Sequence, residues 1–302
     1  MRVGVTGSTG FLGSALVAAL QDRGDDVVRF VRPTSTNVDG LRVRWDPQRG
    51  LIDDADLAAV GGFDAVVNLA GTGIADHRWS ANYRREVKTS RTASTTLLVT
   101  ALTSMTSGVA VLVSGSAIGY YGNRGDEILD ESSSSGNDYG AEVCRGWESA
   151  AAPFVETGAS LATIRTGIVL GRGGGVLRRL LPMYRVGLGG VIGTGRQWIS
   201  PISLDDDVAA MLWLIDHQLT GAFNLCAPEP CTYRQMTRSL AHALHRPALA
   251  RVPAVALRTV LGRELAENTV LTSERVLPKA LQESGFRFTA PNIDDIVRSV
   301  LR

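Results

Sequence analysis

Lysine is almost missing from this chain. Lys88 and Lys279 are the only two in 302 residues, so arginine carries nearly all of the positive charge. Any chemistry that relies on a lysine amine therefore has two positions to draw on. Cysteine is also scarce. Cys144, Cys226 and Cys231 have no zinc-ligand spacing, and an odd number excludes a complete disulfide framework. The expectation is three buried thiols in a reducing cytoplasm. The formal net charge is only +1, which gives no global field to attract nucleic acid or an anionic membrane. No apolar run approaches the ~20 residues a spanning helix needs. The N-terminus opens on a strand pattern, MRVGVTGSTG, rather than on a charged segment followed by an apolar one, so no signal peptide is expected.

What is present is alternation. Val3–Thr6 is a short β-branched run stopped by Gly7, and Phe11–Arg23 then carries Leu12, Leu16, Ala19 and Leu20 on one helical face. Strand signals recur at Val27–Val31, Ala65–Leu69, Val109–Val113 and Leu161–Ile164. Helical stretches are expected at about 53–60, 80–104 and 139–155, with Arg84, Arg85, Lys88 and Arg91 on the wet side of the second. Strands separated by helices require crossover connections and hence a parallel sheet. After about residue 166 the character changes. Gly and Arg crowd into 171–175 and 187–195, and helical pieces follow at about 204–217, 233–244, 253–261 and 293–301. A short strand at Ala222–Leu225 is a candidate to rejoin the main sheet. The reading is an α/β unit over 1–165 and a smaller, mostly helical lobe over 166–302, with no linker between them.

The turn after the first strand reads Gly7-Ser8-Thr9-Gly10-Phe11-Leu12-Gly13, with the spacing G-x-x-G-x-x-G. Gly7 permits the tight exit from the strand, Gly10 lets backbone approach a pyrophosphate, and Gly13 lets the helix lie close to the sheet. The helix start offers N–H groups and a positive dipole end to the phosphates. This pattern predicts a Rossmann-type doubly wound parallel sheet that binds a nicotinamide dinucleotide through Gly7, Thr9, Gly10, Phe11, Leu12 and Gly13. The end of the second strand reads Val27-Val28-Arg29-Phe30-Val31-Arg32. An acidic residue there would accept from the ribose hydroxyls of NAD. Val31 carries no charge and Arg32 follows, which predicts NADP(H), with Arg32 ahead of Arg29 on the 2′-phosphate.

The glycine spacing resembles the extended branch of the short-chain dehydrogenase/reductase superfamily. Asn68-Leu69-Ala70-Gly71 looks like its N-x-A-G element, which implies Leu69, Ala70 and Gly71 beside the cofactor. Ser114–Gly122 looks like the strand-end serine segment of nucleotide-sugar epimerases. Arg165–Gly171 looks like their turn into the substrate lobe. Gly193-Thr194-Gly195-Arg196-Gln197-Trp198, followed by Asp205 and Asp206, looks like their G-x-G-x-Q segment and aspartate-rich helix start. Ile74–Trp79, Glu142–Glu148 and Leu225–Thr232 resemble, more narrowly, the atypical "epimerase family" proteins with a C-terminal domain of unknown function. The resemblance implies a small-molecule substrate, either a nucleotide sugar or another carbonyl or alcohol compound. It also makes a homodimer through the two long helices a natural expectation.

In that superfamily the proton relay is a Ser, a Tyr and a Lys four residues after the Tyr. None of the six tyrosines here has Lys at that spacing. Tyr139 stands near the expected place, with Val143 four residues on. Ser116 remains a candidate to orient the substrate oxygen, and Tyr120, Tyr121 or Tyr139 to supply the proton. Arg196, Gln197 and Trp198 are candidate substrate contacts. No metal site is expected: His242 and His245 share a helix face without an acidic or Cys partner nearby, and Asp205–Asp207 reads as helix capping. Two readings follow: an oxidoreductase or epimerase-like enzyme using NADP(H), or a non-catalytic NADP(H)-binding sensor or scaffold.

Overall fold

The computed structural model describes residues 1–35, 39–105 and 107–301. Eight strands form one sheet in the order β4-β3-β2-β1-β5-β6-β8-β13. They are β1 (Arg2–Thr6), β2 (Asp26–Val31), β3 (Leu41–Asp46), β4 (Leu51–Ile52), β5 (Ala65–Asn68), β6 (Val111–Ala117), β8 (Ser160–Thr166) and β13 (Gly221–Leu225). All neighbours are parallel except β3 with β4. From β1 the chain runs outward through β2 and β3, then returns to β5 and builds in the other direction. The switch therefore falls between β1 and β5, where open α/β sheets leave a ligand crevice at the carboxyl ends of their strands.

Side chains alternate across this sheet. Val3, Val5, Ala65, Val67, Val111 and Val113 face a core closed by α1 (Phe11–Asp22) and α6 (Leu204–Asp216). Val28, Phe30, Val66 and Leu112 face the other core, under α2 (Asp54–Val60), α3 (Ala81–Ser104) and the turn that follows α4 (Tyr139–Ala151). Burial on both faces explains why these strands read as continuous apolar runs. Each fully buried Val or Leu contributes roughly 1.5–3 kcal/mol relative to exposure.

The boundary expected at residue 165 does not follow the packing. α6 supplies Met211, Leu214 and Ile215 to the first core, and β13 pairs with β8 from Gly221↔Ala162 to Leu225↔Thr166. The α/β unit therefore reclaims 204–225, as the apolar Ala222–Leu225 run had hinted. The lobe is built around the remainder. It holds α5 (Gly175–Arg185), α7 (Tyr233–Ala243), α8 (Ala254–Leu261), a three-residue α9 (Arg263–Leu265) and α11 (Ile293–Leu301), while α10 (Lys279–Glu283) packs beside β13 and gives Leu281 to the first core. Four small strand pairs stitch it together: β7 (Ile128–Leu129) with β16 (Arg275–Val276), β9 (Ile168–Leu170) with β12 (Pro201–Ser203), β10 (Gly190–Ile192) with β15 (Ala250–Val252), and β11 (Trp198–Ile199) with β14 (Cys231–Thr232). Its core joins α7 and α11 through Met236, Leu240, Ile296 and Val300. Asp206 fastens the last segment to α6: its carboxylate accepts from the Thr289 N–H, the Thr289 hydroxyl and the Ala290 N–H at 2.7–3.0 Å. Among the described residues no helix is long and apolar enough to cross a membrane.

Candidate functional site

The glycine turn is shaped by close approach. Gly7 sits at φ +64°, and a Cβ there would lie 2.7 Å from the Leu69 carbonyl oxygen. At Gly13 a Cβ would lie 2.2 Å from the Gly7 carbonyl oxygen, so the first turn of α1 can fold over the loop only without a side chain. Thr6 braces the same region from below. Its hydroxyl donates to Asn68 Oδ1 (2.8 Å) and accepts from the Leu69 and Ala70 N–H groups (3.0 and 3.1 Å). Asn68 Nδ2 donates onward to Thr95 on α3 at 2.8 Å. The role of the Asn68–Gly71 element is thus to bind the end of β5 to the end of β1.

Above this turn lies a cleft of about 740 Å³. Gly7, Ser8, Thr9 and Gly10 line one wall, Leu69, Ala70 and Gly71 another, and Arg32 and Ser35 the rim beyond β2. Arg29 is not among its lining residues. The donor set suits a dinucleotide phosphate. α1 has no side-chain cap at Gly10 and no acidic residue in its first turn, so its leading N–H groups are unclaimed. Ser8 Oγ is buried without a hydrogen-bond partner among the described residues. Arg32 is exposed at the rim, where a 2′-phosphate would be met by a permanent cation. Arg85 of α3 closes the far side, a contribution hidden in the sequence because α3 reads simply as a wet face. Phe11 and Leu12 do not line the cleft. The Phe11 ring packs beneath the glycines at 171–175; a Cβ on Gly174 would lie 2.0 Å from it, which accounts for that glycine-rich stretch.

Beside the cleft, the end of β6 carries a buried polar chain. Ser116 donates to Glu148 Oε1 at 2.7 Å. Arg165 on β8 binds both Glu148 oxygens at 2.9 and 3.0 Å and reaches the Tyr121 hydroxyl at 3.0 Å. Tyr121 donates to Asn224 Oδ1 at 2.8 Å. Burial works against the Arg165 charge, but its bonds to Glu148 and Tyr121 outweigh that and raise its pKa. Tyr121 is fully buried, and burial pushes its pKa up to about 12. It is a strut of this chain rather than a group offered to a cleft. Tyr120 is half-buried, with its ring 3.5 Å from the Arg165 guanidinium. Glu148 and Arg165 had no assigned role in the sequence reading. Their pairing joins α4 to β8 across 17 residues, and no local spacing reports it.

The helix α4 also shows why Tyr139 has no lysine partner. Its side toward β6 presents Gly140, Cys144 and Glu148, at i, i+4 and i+8. The Cys144 thiol approaches the Ala117 carbonyl at 3.6 Å, and burial pushes its pKa up to about 12. Tyr139 and Val143 face α3 instead. Val143 packs with Tyr83 and Val87, and the Tyr139 hydroxyl donates to the Arg84 carbonyl. The positions aimed at Ser116 therefore hold neither a tyrosine nor a lysine.

The Arg196–Trp198 group divides. Arg196 points out to solvent. Gln197 is buried and donates to the Ile192 carbonyl at 3.1 Å, which braces its own turn. Trp198 lies at the seam between the lobes: Nε1 donates to Asp126 at 2.8 Å, and Arg275 covers its ring at 4.2 Å. The segment after β5 is bracketed from the lobe side, since Arg78 donates to the Thr259 carbonyl (3.0 Å), Arg179 donates to the Ala75 carbonyl (2.9 Å), and Arg84 pairs with Glu264 (3.0 Å). A second groove, of about 720 Å³, runs between α7 and α11 past Arg238 and His242 and holds none of the expected cofactor residues. No cluster of three metal-ligating side chains occurs among the described residues.

Comparison with known proteins agrees with this geometry. Residues 3–226 match the NAD dependent epimerase/dehydratase family, and residues 252–300 match a domain of unknown function, DUF1731. An epimerase family protein of Mycobacterium bovis is 41% identical over 287 residues, covering 95% of this chain and 93% of its own. The crystal structure of the human epimerase family protein SDR39U1 with NADPH superposes at a TM-score of 0.90 with 30% identity, over 100% of this chain and 99% of that one. Thermus thermophilus UDP-glucose 4-epimerase with NAD shares the fold at 20% identity and a TM-score of 0.76, over 100% of this chain and 98% of that one. The chain belongs to the NAD dependent epimerase/dehydratase family, in the group of epimerase family proteins that carry the DUF1731 domain at their C-terminal end.

Proposed function

We propose that this protein is an NADP(H)-dependent oxidoreductase or epimerase-like enzyme acting on a small alcohol or carbonyl compound. The observation that carries the cofactor assignment is the rim of the cleft. Its second strand ends without a carboxylate, and Arg32 lines the space beside it. The glycine turn and the uncapped start of α1 would hold the pyrophosphate, Leu69, Ala70 and Gly71 would flank the ribose, and Arg32 would pair with the 2′-phosphate. The NADPH held by the human relative supports the same choice. When bound, the nicotinamide supplies or accepts hydride.

For the proton, the chain has an unusual set. An ionised Glu148 can only accept, so the Ser116 proton points at Glu148 and the serine meets a substrate hydroxyl as an acceptor. The Tyr121 and Tyr139 hydroxyls are engaged by Asn224 and by the Arg84 carbonyl. Tyr120 is the tyrosine of the three whose hydroxyl has no partner among the described residues. Arg165 stacks on its ring and fixes its position. We assign Tyr120 as the proton donor and acceptor. Titrating NADPH and NADH by calorimetry tests the cofactor: Arg32→Ala should weaken NADPH by ~1.5–3 kcal/mol and leave NADH unchanged. Equal affinities in the wild type would refute the assignment. NADPH consumption over a panel of carbonyl compounds, wild type against Tyr120→Phe and Ser116→Ala, tests turnover.

A second reading, an NADP(H)-binding sensor or scaffold, draws support from the polar chain at β6. Ser116 is tied to Glu148, and the face of α4 turned toward it lacks both members of the Tyr–Lys pair. Tight NADPH binding with no turnover anywhere on the panel would favour it.

A further inference from the structure

Arg91 stands out as a half-buried cation that pairs with no anion among the described residues. It was expected on the wet side of α3, but it turns inward between α3 and α4. Its Nη1 donates to the Thr72 and Val87 carbonyls, each at 2.9 Å. Its guanidinium carbon lies 5.0 Å from the Trp147 ring centroid. Nε and Nη2 have no hydrogen-bond partner, and no carboxylate pairs with the group, among the described residues. Burial lowers its pKa from the ordinary arginine value, while Cys144, Tyr139 and Tyr83 stand close enough to favour the charge. No carboxylate among the described residues compensates this half-buried charge.

Its location suggests what does. A Cβ on Gly71 would lie 3.1 Å from Arg91 Cγ and 3.2 Å from Cζ, so the guanidinium presses directly against a residue that lines the cleft. The Trp147 ring continues the same layer to Gly115, where a Cβ would lie 2.6 Å from Cζ2, next to Ser116. Trp147 Nε1 is itself buried without a partner among the described residues, as is Ser114 Oγ. Thus a cation with two unclaimed donors and two orphaned polar groups gather around the ends of β5 and β6, beside the inward face of α4 that carries Cys144 rather than a cation. The missing side chain at Gly71 is what lets the guanidinium lie this close to the cleft wall. With Nη1 anchored to two carbonyls, the open edge is oriented in advance and loses little entropy on binding.

We infer that Arg91 supplies from α3 the cation that α4 lacks, and that its Nε and Nη2 bind the ribose and phosphate oxygens of the nicotinamide half of the dinucleotide. The inference rests on the NADP(H) reading above and adds to it the residue that holds the reactive end.

Calorimetry on the full chain with two probes tests it. NADPH carries the nicotinamide half, and 2′,5′-ADP lacks it. Arg91→Met should weaken NADPH about tenfold or more, as expected for the loss of one or two charge-assisted hydrogen bonds, and leave 2′,5′-ADP within about twofold. Arg91→Lys keeps the charge and should recover part of the loss. The fluorescence of bound NADPH, which reports the surroundings of the nicotinamide ring, should differ between Arg91→Lys and wild type. If Arg91 only ties α3 to Thr72, both probes weaken together, or neither does, and the bound fluorescence is unchanged; either result overturns the inference. Should Arg91→Met fail to fold, the Arg91→Lys affinities and fluorescence decide by the same criteria. Failure of the wild type to bind 2′,5′-ADP more tightly than 5′-ADP would instead overturn the NADP(H) reading, so the two failures are distinguishable.

Discussion

Replacing Glu148 by Gln removes the one carboxylate that binds Arg165 among the described residues while keeping the size and shape of the side chain. Arg165 retains 7% of its side-chain exposure and Glu148 18%, so solvent can do little to stabilise the cation left behind. Breaking one partner of such a pair costs ~3–5 kcal/mol. For a chain of this length, unfolding entropies of about 2 cal/mol/K per residue convert that loss into a fall of roughly 5–8 °C in Tm. Ser116→Ala removes a single bond to the same carboxylate, worth ~1.5–3 kcal/mol. Because Ser116 and Arg165 share Glu148 Oε1, the two changes act on one carboxylate, and the double variant should be less destabilised than the sum of the two singles. Chemical denaturation of the four proteins, with NADPH affinity measured alongside, gives the cycle. Glu148→Gln within about 1 kcal/mol of wild type, or strict additivity, would refute the view that Ser116, Glu148 and Arg165 form one load-sharing unit.

Three further outcomes follow from the structure. Asp207 is fully buried with both oxygens unpartnered among the described residues, and burial pushes its pKa up to about 8; burial, aided by Asp138, takes Glu274 to about 8 as well. A carboxyl whose pKa rises on folding contributes stability while protonated and loses it as pH climbs through the folded value. Stability should therefore fall as pH rises from about 4, the ordinary carboxyl range, to about 8, and level off above that; Asp207→Asn should flatten that fall, and an equal slope in the variant would show that Asp207 does not titrate there. Gly13→Ala places a Cβ 2.2 Å from the Gly7 carbonyl oxygen, backbone against backbone. It should abolish NADPH binding in calorimetry, and retained binding would mean that the loop over α1 can open without loss. Phe11→Ala removes the half-buried ring under the glycines at 171–175 and should cost about 1–3 kcal/mol in denaturation, while leaving the cofactor cleft lined as before.

The parts of this molecule that were legible in sequence are those in which a local pattern has one physical cause. The turn from Gly7 to Gly13 is legible because each glycine answers a backbone approach a few residues away. The buried strands are legible because burial on both faces erases polar alternation. The lobe boundary was misplaced at 165 because β13 returns to the sheet after an excursion of more than fifty residues, and five residues of strand carry little signal about their neighbours. The relay was harder to place for a subtler reason. Tyr139 opens the right helix, yet a difference of one residue on a helix turns a side chain by about 100°. That rotation carries Tyr139 and Val143 into α3 and leaves Gly140, Cys144 and Glu148 facing β6. Sequence spacing finds a tyrosine and misses the face. The same rotation on α3 hides Arg91: with Arg84, Arg85 and Lys88 it reads as one charged flank, but Lys88 reaches Glu142 at the surface and Arg91 turns under Gly71. In both helices, then, charge and hydroxyl groups that look like surface or relay by spacing are sorted by a single step of helical phase. Only packing between α3 and α4 sets that phase, and so decides which of those groups can reach the cleft.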